Sequence, residues 1–214
     1  MDKKPHVLLP STYLAPVSHY ALMYHAAHCT TEVCDHYQKQ TLRNRCIIAS
    51  PNGPLSLTIP VVKPSAPHTE MRDIRISDHG NWRHLHWNAL QSSYNASPFF
   101  EYYADDLAPF YERKWEFLVD FNEALQSTIC QLINFQPHVS RTTAYEAAPT
   151  TLLDCRPMAA TDATAHINFS MPPYYQVFAQ RHGFMPNLSI IDLLCNMGPE
   201  SLIYLDHMDL KQAE

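Results

Sequence analysis

The chain has 214 residues, 46% of them apolar and 17% charged, a balance that describes a folded protein and excludes a disordered one. A formal charge of −6 excludes a general nucleic-acid binder, because neutralising phosphates needs a basic surface. Four glycines against 17 prolines provide neither GxGxxG nor GxxxxGK[ST], so an anion would have to be held by side chains and helix N-termini. The six cysteines are scattered without a CxxC pair and read as reduced, mostly buried thiols of a cytoplasmic protein. The apolar run near the N-terminus spans three residues, too short for a signal peptide or a membrane span.

In chain order, Val7–Leu9 reads as a short strand and Pro16 or Val17 to His28 as a helix, with Val17, Tyr20, Met23/Tyr24 and Ala27 at helical spacing. Glu32–Asp35 predicts a second strand. Arg43–Ala49 and Leu55–Val62 flank Pro51-Asn52-Gly53-Pro54, a hairpin signal, because Asn and Gly both tolerate positive φ. The alternation around Ile74 and Ile76 predicts a further strand. Asp78 or Asn81 caps a helix over Trp82–Asn95; Phe99–Glu112 and Lys114–Phe135 follow, the former with Pro109 as a kink or break. Residues 137–166 carry little periodicity and read as a long irregular connection with one short strand. Tyr174–Arg181 is a weak helix. Ser189 caps Ile190–Met197, which Gly198-Pro199 closes, and a strand is expected near Leu202–Leu205. The fold class is α+β or mixed α/β: a central mixed sheet from the N-terminal third, with a β-hairpin, packed against several helices.

Two segments concentrate polar chemistry. In the first, Lys39, Arg43 and Arg45 lie within seven residues, interleaved with Gln38, Gln40 and Asn44, and follow Asp35 and Tyr37. On a strand, Arg43 and Arg45 would share a face about 7 Å apart, a spacing for holding phosphate or carboxylate. The competing reading is a solvated face paired with Asp35, Asp73 or Glu32. In the second, His79, His84 and His86 invite a metal, but helical residues two apart point about 200° away from each other, and nothing resembles HExxH. His86 lies on the inward side of its helix with Trp82, Leu90 and Ser93, either as a tunable base or as a core histidine bonded to a neighbour. The aromatic residues from Trp82 to Tyr111 read as helix-packing core or as a stacking surface.

At these segments the chain resembles the WbqC-like family of bacterial proteins. The resemblance is carried by Tyr37-Gln38-Lys39-Gln40-Thr41-Leu42-Arg43-Asn44-Arg45, by Asn52-Gly53 with Leu57-Thr58-Ile59-Pro60-Val61, and by Trp82-x-x-x-His86-Trp87. It continues in Tyr94-Asn95-Ala96-Ser97-Pro98-Phe99-Phe100 and in Asn187-Leu188-Ser189-Ile190-Ile191-Asp192 through Gly198-Pro199. Residues 78–87 are similar to a Bacteroidetes-type branch. The opening departs from the family's Gln-Pro-x-Tyr-Leu-Pro, reading Leu9-Pro10-Ser11-Thr12-Tyr13-Leu14-Ala15-Pro16. The resemblance implies one WbqC-like domain over 1–214 and, through members in O-antigen gene clusters, a role in surface-polysaccharide biosynthesis.

The reading that follows is a transferase-type enzyme acting on a phosphorylated or nucleotide-linked (amino)sugar. In it His86 is general base, oriented by Asp35 or Asp78, and Tyr37, Lys39, Arg43, Asn44, Arg45 and Trp82 bind an anionic small molecule. No metal ligand set, membrane span or nucleic-acid partner is expected, and no cofactor or oligomeric state is legible. The alternatives are a non-catalytic ligand-binding or scaffold protein of a polysaccharide-synthesising complex, and a metal-dependent hydrolase.

Overall fold

The structure, a computed structural model, describes residues 4–64, 66, 68–160, 168–208, 210 and 211. Strand β1 (His6–Pro10) is buried from Val7 onward, as expected of a strand covered on both faces. Helix α1 (Val17–His25) returns the chain to β2 (His28–Glu32), which pairs parallel to β1 with Leu8 opposite Thr30 and Pro10 opposite Glu32. Strands β5 (Val139–Arg141) and β6 (Leu153–Asp154) complete a four-stranded parallel sheet in the order β5-β2-β1-β6.

The order reverses at β1: β2 and β5 follow on one side, β6 on the other. Open parallel sheets bind ligands at such a point, beyond the carboxyl ends of the strands. Both edge strands come from the stretch 137–166, expected to be irregular with one short strand. They are too short to show periodicity, and their partners lie more than a hundred residues away. Residues 161–166 lie outside the described residues.

The hairpin forms a separate antiparallel pair, β3 (Arg45–Ser50) and β4 (Gly53–Thr58), with Pro51 and Asn52 as its turn. Gly53 carries the positive φ, 101°, and opens the returning strand. Strand β3 begins two residues later than predicted because the Arg43 carbonyl is engaged outside the hairpin, although one backbone bond of the ladder continues at Asn44. The Arg43 carbonyl accepts from Asn122 Nδ2, and the Asn44 carbonyl accepts from the Ile59 amide. Ile76 and Arg75 make only single bridges, to Val61 and Phe117, instead of the predicted strand.

Helices α2 (Trp82–Tyr94), α3 (Phe100–Glu112) and α4 (Leu118–Leu132) follow closely the predicted spans, and α3 runs unbroken through Pro109. The weak helix at 174–181 is reduced to α5 (Ala179–His182). Helix α6 (Ile190–Met197) starts where Ser189 Oγ accepts from the Ile191 amide. The expected strand at Leu202–Leu205 is instead helix α7 (Ser201–Asp206). Its buried residues Ser201, Tyr204 and Leu205 recur at helical spacing. A two-stranded pair, β7 (Asn168–Phe169) and β8 (Leu210–Lys211), completes a mixed α+β fold.

One core cluster draws on β1, α1, β3, α2, α3, α4 and α6, with Phe121 fully buried among Tyr13, Trp82, Tyr111 and Trp115. Among the described residues, no helix is long and apolar enough to cross a membrane.

Candidate functional site

Residues beyond the carboxyl end of β2 and at the end of β6 line a cavity of about 450 Å³, with Asp35, His36, Gln38, Arg43, Tyr145, Asp154 and Arg156 in its wall. This is within the size range of small-molecule sites. Asp35 reaches it three residues past β2, and Arg156 two residues past β6. Arg43 reaches it from the turn before β3.

Arg43 and Asp35 form a buried ion pair through Nη2 and Oδ2. Arg43 Nε and Asp35 Oδ1 are buried without a hydrogen-bond partner among the described residues, although both side chains line the cavity. A buried donor and acceptor left unmade cost free energy, so a group that bonds both is favoured there. Burial pushes the Asp35 carboxyl above the usual carboxylate range, with Arg43 opposing. A carboxyl so raised beside a cavity is suited to proton transfer.

Arg156 is a tie rather than an open cation. It donates to Asp154 at 2.6 and 2.9 Å, to Glu32 at 3.3 Å, and to the Glu146 and Ala147 carbonyls at 2.8 and 3.2 Å. It thereby holds the 145–156 loop against β2 and sets the cavity's outer wall.

The remaining residues expected at the site disperse. Half-buried Tyr37 has its phenol pushed up by burial, while the nearby charges of Arg43 and Arg45 oppose the shift. Lys39 is exposed, and Arg45 Nε donates to Thr58 Oγ1 at 3.1 Å. Because Arg43 precedes the strand, Arg43 and Arg45 do not form the predicted two-guanidinium face. Arg43 takes the paired alternative with Asp35. Asn44 is buried and donates to the Ile59 carbonyl at 2.8 Å, and Trp82 Nε1 donates to the Ser77 carbonyl at 3.0 Å. Asp78 is on the surface, held below its ordinary range by Lys114 and Arg83 at 2.7 and 2.5 Å.

His86 lies in the core, 5% exposed, and lines none of the three cavities described. Its Nδ1 is 3.0 Å from Tyr13 Oη, which is 2.9 Å from Tyr111 Oη. Neither Asp35 nor Asp78 is among its partners, because each is engaged by arginine. Burial lowers the imidazole pKa to about 4, an effect that a hydrogen bond with the Thr58 backbone partly offsets.

A pH dependence of stability follows. Unfolded histidine titrates near 6.5, so between about pH 6.5 and 4 the unfolded chain binds the extra proton and stability falls as pH drops. The contribution of His86 is on the order of 3 kcal/mol, and His19, also lowered to about 4 by burial, adds in the same direction. Urea unfolding across this window should show a shallower slope for His86→Phe than for the wild type. An unchanged slope would place the titration elsewhere.

Among the described residues, no group of three His, Cys, Asp or Glu side chains is placed to hold a metal ion. All six cysteines are free and buried, and burial pushes the Cys29, Cys130 and Cys155 thiols up to about 12, far from a nucleophile's range.

Sequence reasoning missed Arg156, Asp154 and Asn122. Asn122 had a signal: it is an amide inside the apolar stripe of α4, where it donates to Ser11 Oγ at 3.2 Å and to the Arg43 carbonyl at 2.9 Å. Arg156 had none, because its segment carries no pattern.

The molecule is thus a mixed α+β protein with a polar cavity at the switch point of a small parallel sheet. The chain belongs to the WbqC-like protein family, whose profile matches residues 11–168. It is 31% identical over 193 residues to the uncharacterized protein Rv1507c of Mycobacterium tuberculosis, covering 79% of this chain and 83% of that protein. No solved structure matches it.

Proposed function

We propose that the chain is a cytoplasmic transferase-type enzyme of glycan biosynthesis, acting on a phosphorylated or nucleotide-linked (amino)sugar bound in the cavity beyond β2 and β6. The observation that carries this reading is the Arg43–Asp35 pair, a buried ion pair of two residues that line the cavity. The pair matches a sugar hydroxyl or amine, and Asp35 takes the proton when that group reacts. Lys39 and Arg45 do not line the cavity and are not assigned to the substrate. His86 supports Tyr13 at the mouth of β1 and does not meet the substrate.

A thermal-shift screen against nucleotide sugars, sugar phosphates and inorganic phosphate tests this reading, since a ligand bound to the native state raises the melting temperature. At 100 times its dissociation constant the stabilisation is about 2.7 kcal/mol. A shift is expected with at least one sugar ligand, and it should be lost in Arg43→Met. If no sugar ligand shifts the wild type, the reading fails.

A second reading, a non-catalytic ligand-binding or scaffold protein, is favoured by the closed network around Arg156, which leaves that guanidinium saturated. It predicts sugar binding without turnover.

A further inference from the structure

A second cavity, of about 380 Å³, lies beside the polar one and has a different character. Its walls are mainly aliphatic, including Leu14, Leu42, Ile47, Met158 and Met185, with Pro54 among the exposed residues of the wall. Two short segments divide the cavities. Leu42 and Met158 face the apolar side, while their neighbours Arg43 and Pro157 face the polar side. The segments are joined where the Leu42 amide donates to the Ala159 carbonyl at 2.7 Å, and Ala160 belongs to both walls.

We propose that the apolar cavity is a binding site for a saturated aliphatic chain, the acyl or alkyl portion of a second substrate whose polar end meets the sugar site at Ala160. As a second-substrate site it rests on the sugar-site reading above, whereas chain binding itself does not. The occupant is aliphatic because leucine, isoleucine and methionine line the site and, among the described residues, Phe184 alone offers an aromatic ring. Methionine adapts to a flexible chain better than to one rigid shape. The volume is within the range of ligand sites, and a mainly apolar wall with a few polar atoms is the usual character of such sites. The polar atoms here are those of Ser18, Asn187 and Ser189. The Asn187 side chain already accepts from the Ser18 amide at 3.0 Å.

The probes are butanoate, hexanoate, octanoate and decanoate, titrated into the full chain carrying 13C-methyl methionine. Affinity should rise about fourfold per added methylene until the cavity is full, and the Met158 and Met185 methyl signals should move. Pro54→Glu, an exposed substitution in the wall, should weaken octanoate at least tenfold and leave unfolding unchanged. Affinity independent of chain length, or methyl shifts confined to other methionines, overturns the site. The wild-type chain-length series decides this even if the variant does not fold. Octanoate binding without any sugar ligand would sink the sugar reading and the second-substrate assignment while leaving the chain site. A sugar ligand that shifts the melting temperature, with no length dependence for the carboxylates, would do the reverse.

Discussion

Arg43→Ala is expected to cost about 3–5 kcal/mol of stability, because it leaves Asp35 buried without its counter-ion. Arg43 is 4% exposed and Asp35 8%, so water replaces the lost partner less completely than at a surface pair. The loss should grow with pH as the lone carboxyl ionises, and a urea series at pH 5 and pH 8 would show it. The double variant Arg43→Met with Asp35→Leu should recover most of the stability, since apolar residues of similar volume commonly replace a buried pair without loss. It should not recover sugar binding. An Arg43→Ala protein as stable as the wild type would mean that the pair is not buried in solution.

Asp35→Asn separates chemistry from architecture. The amide keeps the size of the side chain and still accepts from Arg43, but it leaves the buried guanidinium without its counter-ion. Stability should therefore fall, and turnover is compared on the fraction that remains folded. Turnover should fall by about 10²–10⁴-fold, the usual contribution of a general base. In the wild type, burial raises the Asp35 pKa, so activity should rise with pH through a midpoint above the ordinary carboxylate range, and the variant should lack that limb. The assay uses whichever sugar ligand shifts the melting temperature, with consumption followed chromatographically. Activity within threefold of wild type would remove Asp35 from the mechanism.

The fold was legible where one segment carries its own pattern. The α4 stripe Leu118, Phe121, Leu125 and Ile129 is local, and so are the Ser189 cap and the Gly198 stop of α6. The hairpin was legible for the same reason. The edge strands at 139–141 and 153–154 were not, because three and two residues show no period and are ordered by β2 and β1 across the sheet. Leu202–Leu205 failed differently: four apolar-rich residues fit a strand or a helix, and packing against α1 and α6 selected the helix.

The site divides along the same line. Composition excluded nucleotide-loop motifs, and the two polar segments marked where chemistry is concentrated. Residue types alone placed Arg43 and Asp35 among the candidates. Their partners were beyond reach of the sequence, because a buried charge is defined by what desolvates it, and that depends on residues distant in the chain. Asp35 meets Arg43 and a wall closed by Arg156, while Asn122, on α4, fixes the Arg43 backbone. The same physics moved His86 from candidate base to core: its helical position announced burial, and only the fold showed that Tyr13 and Thr58 complete its hydrogen bonds. The sequence by itself therefore determined the family, the helices α2, α3, α4 and α6, and the charged segment, since these are properties of neighbours along the chain. Tertiary structure decided which charges are paired, which histidine is enclosed and where the cavity opens, since burial and pairing arise only when distant segments meet.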